Sequence, residues 1–142
     1  VRIKQFAVTC LCLISTSAFA QGSCEETDLY RYMDDLKTEL KSFSFEVKTG
    51  NLSAASSRLD VMLDLLGKSR AEEPFLFREK GLEGDELELR QSQYEKGIDR
   101  LIGQMKRIET AIAQNDTAAV KGLLSDVGKS RKKGHRAFNG DC

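Results

Sequence analysis

Apolar residues in this chain recur every three or four positions, and no alternating run of any length is present. That period belongs to helices with one buried stripe. Leu29, Met33, Leu36, Leu40, Phe43 and Val47 form the first stripe, on a helix expected from about Glu25 to Lys48. Gly50 ends it, because glycine takes the left-handed conformation at little cost. Asn51 or Ser53 can cap a second helix, whose stripe includes Ala55, Leu59, Met62 and Leu66 and which ends near Arg70. A third begins near Asp85, with Ile98, Leu101, Met105, Ile108 and Ile112 on its clearest face. "QND" interrupts it, and Asp116 or Thr117 caps a fourth through a side-chain oxygen. The fourth stripe reads Val120, Leu124, Val127, Arg131, His135 and Phe138. Two glycosylation-type triplets, "NLS" and "NDT", fall on these caps, and capping is the better account of them.

Two of the three connections are short, so the helices they join are antiparallel neighbours. The connection from about Ala71 to Gly84 is longer and holds the single proline, Pro74. The fold expected is all-α: an antiparallel up-down-up-down four-helix bundle. "PFLF" is odd in a solvated turn. Either Phe75, Leu76 and Phe77 plug the end of the core, or they cover something bound there.

The first twenty residues read as a signal peptide. Arg2 and Lys4 precede the apolar run "FAVTCLCLI", and "STSAFA" ends in a small-x-small cleavage pattern. Residues 21–142 then form one domain, long enough to bury a core. Loss of Arg2 and Lys4 takes the formal charge from zero to two units negative, so charge balance gives no support for nucleic-acid binding. Cys10 and Cys12 leave with the signal. Cys24 and Cys142 are left near the two ends of an exported chain. Helix one begins and helix four ends at the same end of the bundle, so a Cys24–Cys142 disulfide is geometrically available. The alternative is frayed ends with thiols that are free or paired between molecules.

His135 is the only histidine, in "KSRKKGHRAFNGDC". On helix four it sits about five residues, ~8 Å, from the helix end; Met33 sits ~12 Å into helix one from the same end. Read alone, each is a core or partly buried residue. Together, imidazole nitrogen and thioether sulfur are the axial pair of electron-transfer haems.

The segments "YMDDLKTELK", "YEKGIDRLIGQM" and "SRKKGHRAF" resemble the cytochrome b562 family, over most of residues 27–138. That family is one of the standard examples of the up-down bundle. The resemblance rests on a methionine early in helix one, Gly-x-Asp-x-Leu-x-Gly-Gln in helix three, and Arg-x-x-x-His late in helix four. It implies one noncovalent haem b per chain, with Met33 and His135 as axial ligands and Arg131 near the haem edge. It also puts Tyr94 and Ile98 at the family's aromatic packing positions, one flat contact being replaced by an aliphatic one. Gly134 stands where the family has a bulky residue. No Cys-x-x-Cys-His is present, so the usual covalent haem attachment is excluded.

A di-iron bundle needs Glu-x-x-His on two helices, and one histidine cannot supply both. The same shortage argues against a His-rich zinc or copper site. No catalytic triad or phosphate loop is present, so an enzyme is not expected. The basic run Lys129, Arg131, Lys132, Lys133 and Arg136 suits a helix C-terminus electrostatically; its functional reading is contact with haem propionates or an acidic redox partner. The expectation is a periplasmic monomer carrying electrons to or from an unidentified redox partner protein, with no membrane insertion of the mature chain. The alternative is a haem-free bundle with a binding or stress role, in which Met33 and His135 are core residues.

Overall fold

A computed structural model describes residues 22–139 and Cys142. The segment read as a signal peptide, with Cys10 and Cys12, lies outside the described residues. A short 3-10 turn at Cys24–Glu26 leads into α1 (Asp28–Thr49) and α2 (Leu52–Arg70). A single extra turn, α3 (Phe75–Glu79), precedes α4 (Gly84–Ala113) and α5 (Thr117–Phe138). The four long helices are those expected from the periodicity, and they pack as a four-helix bundle.

Local chemistry sets their ends. The Thr27 hydroxyl accepts from the Tyr30 N–H at 3.1 Å, so α1 starts three residues later than the stripe alone implied. Gly50 closes α1 in the left-handed region, at φ 77°. Asn51, not Ser53, caps α2 by accepting from Ala54 N–H at 3.3 Å, and Asp116, not Thr117, caps α5 by accepting from Ala119 N–H at 2.9 Å. Both "NLS" and "NDT" are thus cap or turn residues. Asn115 adopts φ 55°, a conformation asparagine tolerates better than most side chains.

The long connection is not a loose loop. Phe77 is 1 % exposed, and its ring meets Phe138 of α5 edge-on at 6.2 Å. Leu76 packs on the same core. This segment is an end plug, while Phe75 is half-buried beneath the Arg78 guanidinium at 5.1 Å.

Burial is lopsided. In α1 only Phe43 and Val47, near its C-terminus, are fully buried; in α5 only Val120 and Val127, in its first half, are. The remaining halves of these helices lie at one end of the bundle. There α2 and α4 do bury residues: Leu66, Ser69, Tyr94 and Ile98. α1 packs extensively on α2, α2 on α4 and α4 on α5, whereas α1 and α5 touch only sparsely. The core therefore thins along the α1–α5 seam, at the end where α1 begins and α5 finishes.

Candidate functional site

Met33 and His135 flank that seam. Glu39 of α1 is ion-paired to Arg58 of α2 at 3.2 Å, which marks the α2-facing side of α1. Met33 lies about 120° around the axis from Glu39, on the side turned toward α5. It is half-buried and packs against the core with Leu29, Leu36 and Leu40. On α5, the Ala137 carbonyl accepts from Arg90 of α4 at 2.9 Å, which marks the α4-facing side. His135 lies about 160° away from Ala137, on the opposite flank. Ser130, Gly134 and Ala137 are half-buried by α4, but Arg131 and His135 are exposed. Helical spacing puts Arg131 and His135 on the fourth stripe, but in the fold the inward arc runs through Val127, Gly134 and Phe138.

Gly134 adds no side chain to the inward arc of α5. It follows Val127 by seven residues and so shares its inward direction, yet a Cβ built on Gly134 meets nothing within 4 Å. A Cβ on Gly128, seven residues before His135, meets nothing either. On α1, Leu29, Met33, Leu36 and Leu40 are half-buried and pack against the core, while α1 and α5 touch only sparsely. Arg131, Lys132 and Arg136 put cations beside His135 on α5, where they could meet the carboxylates of a bound ligand. Those three residues and His135 line an open depression on α5.

The pKa of His135 is pushed below its ordinary value, first by partial burial and then by the Arg131 charge one turn away. Both effects favour the neutral imidazole, whose free lone pair is the form that binds a metal. A thioether on α1 and an imidazole on α5 are donor types that an iron porphyrin accepts, and these two helices are neighbours in the bundle. Among the described residues no cluster of three or more His, Cys, Asp or Glu offers an alternative metal site.

Tyr94 and Ile98 lie behind the seam, each 4 % exposed in the core. The Tyr94 ring meets Phe138 edge-on at 5.5 Å, and its hydroxyl donates to the Ser69 carbonyl at 2.6 Å. Burial, and then the nearby carboxylates Glu72 and Glu95, hold its phenol well above the ordinary tyrosine value. Arg90 is a structural residue the sequence reading missed. Its guanidinium lies over Phe138 at 5.3 Å and Phe77 at 5.8 Å while bonding Ala137. Its only sequence signal is its place one turn before Tyr94.

The fold is an antiparallel helical bundle, a class that builds cofactor sites from side chains on facing helices. The chain belongs to the cytochrome b562 family, whose model matches residues 28–139. Members of this family are electron carriers and not enzymes, and they typically bind b-type haem. No curated protein and no solved structure gives a further match. Among the described residues no helix is long and apolar enough to cross a membrane.

Proposed function

We propose that this chain is a periplasmic single-electron carrier holding one noncovalent haem b in the α1–α5 seam, with Met33 and His135 as axial ligands. Residues 1–20 act as its export signal, and residues 21–142 form the mature, monomeric domain. The observation that carries this reading is membership of the cytochrome b562 family over residues 28–139, supported by the sparse packing between α1 and α5.

Bound haem supplies one-electron iron chemistry. The chain's own residues do the rest. Met33 offers a polarizable sulfur from the apolar side. His135 stays neutral and presents a nitrogen lone pair. Arg131 would offer a positive charge to the haem propionates, and Leu29, Leu36 and Leu40 would help keep water from the ring. Were Met33 and His135 both to hold the iron, they would leave no position for substrate, which would favour electron transfer over oxygen chemistry. The redox partner is an unidentified protein.

Haemin titration of purified mature protein tests the reading. A one-to-one complex with a six-coordinate, low-spin reduced spectrum is expected. Met33→Ala should open one axial position and lower the reduction potential; His135→Ala should weaken binding more severely. Absence of any Soret band after haemin addition would favour the haem-free bundle. Unchanged spectra in both variants would reject the ligand assignment.

A further inference from the structure

Four helices in a ring have four seams. Gly50 and Asn51 join α1 to α2, residues 71–83 join α2 to α4, and residues 114–116 join α4 to α5. The α1–α5 seam has no such connection, and its packing is sparse. Among the described residues no ion pair or side-chain hydrogen bond crosses it. What does cross it is the Cys24–Cys142 disulfide, joining Cα atoms 6.2 Å apart and 118 residues apart in the chain.

That bond is wired closely into both helices. The Thr27 hydroxyl donates to the Cys24 carbonyl at 2.7 Å and also accepts from Tyr30 N–H, so the cysteine turn is fastened to the first turn of α1. On the other side, Cys142 N–H donates to the Asn139 carbonyl at 3.1 Å, and Asn139 N–H donates to the His135 carbonyl at 3.0 Å. A short hydrogen-bonded path therefore runs from the disulfide to the backbone of His135. Cys142 is exposed and Cys24 only partly so.

From this arrangement we infer that the Cys24–Cys142 disulfide is a thiol-sensitive clasp on the cofactor seam, whose reduction by a dithiol reductant opens the seam and speeds haem loss. The haem part rests on the function proposed above. A thiolate of the reductant attacks the accessible Cys142 sulfur, the S–S bond breaks, and Cys24 leaves as a thiolate that takes up a proton. The reductant's second thiol then closes its own disulfide and releases Cys142 as a thiol. Two electrons and two protons pass from the dithiol to the protein, and the iron takes no part. Severing the clasp raises the population of states in which the ends of α1 and α5 separate, while the α2–α4 core holds.

Two measurements test this on the mature chain. In the apoprotein, amide exchange is followed with and without dithiothreitol. Residues 28–36 and 130–139 should lose protection on reduction, while residues 98–112 keep theirs. In haem-loaded protein, transfer to an acceptor apoprotein is compared between the parent and C24S/C142S, so that no reductant touches the iron. The variant should lose haem about tenfold faster or more, since severing the crosslink restores the freedom of both ends. Unchanged exchange on reduction overturns the clasp, whatever haem does. Increased exchange with an unchanged transfer rate overturns its link to the cofactor. If neither form takes up haem, the proposed function fails, and the clasp stands or falls on exchange alone. Should C24S/C142S fail to fold, parent protein reduced and alkylated in its folded state makes the same comparison.

Discussion

Replacing Tyr94 with phenylalanine isolates one buried hydroxyl, and pH gives the result a sign. The phenol donates to the Ser69 carbonyl at 2.6 Å in the core. Ser69 also accepts the Glu72 N–H at 3.2 Å, so Tyr94→Phe does not orphan the carbonyl. The cost near neutral pH should be about 1 kcal/mol, the net worth of a typical hydrogen bond. Alkaline pH reverses the ranking. The folded-state pKa of Tyr94 is raised, because burial and then Glu72 and Glu95 disfavour the phenolate. Above about pH 10 the unfolded chain releases this proton while the folded chain keeps it. The unfolded state then binds fewer protons, so stability falls as pH rises, by about 1.4 kcal/mol per pH unit well above that point. The variant has no phenol to ionise and escapes this loss. Parent and Tyr94→Phe should therefore be equally stable at about pH 11, and the variant the more stable above it. Urea unfolding of apoprotein, followed by far-UV circular dichroism from neutral pH upward, measures the difference directly. A gap independent of pH would refute the claim that Tyr94 is sealed in the core.

Phe77→Ala should cost about 3–5 kcal/mol, as for a filled core site, whereas Phe75→Ala, at a half-buried position, should cost about 1 kcal/mol or less; equal losses in chemical denaturation would argue against α3 as an end plug. Gly134→Ala should stabilise the apoprotein by about 1 kcal/mol of helix propensity, since its Cβ enters open space, and a lowered melting temperature would show that the seam is filled. Asp116→Ala should cost about 1 kcal/mol through loss of the α5 cap, while Thr117→Ala should cost measurably less; the reverse order in melting temperature would reassign the cap.

The four long helices were legible because their causes are local. A stripe at helical spacing, a left-handed glycine at position 50 and an aspartate at position 116 act within a turn or two of chain. That Cys24 and Cys142 could meet also followed from little, since short connections make neighbours antiparallel and bring the first and last helix ends together; that they are bonded and not free thiols was decided by the fold. Sequence alone left paired candidates at the caps, and geometry chose Asn51 over Ser53 and Asp116 over Thr117 by which oxygen reached an unpaired N–H.

Tertiary structure decided everything that depends on what stands opposite a side chain. Periodicity resolves a helix face only to about a third of its circumference. It could not separate Gly134, turned inward, from His135, one residue on and exposed. It could not show that α4 covers one flank of α5 while α1 leaves the other open, because that follows from how four helices share the space between them. Nor could it show Phe77 inside the core, Tyr94 bonded to Ser69, or Arg90 laid across two aromatic rings. Sequence by itself determined the helices and their order, and it supplied the candidate pair Met33 and His135. Only the packed bundle decided which pair of neighbouring helices packs sparsely, since burial belongs to pairs of surfaces and not to a residue's place in the chain.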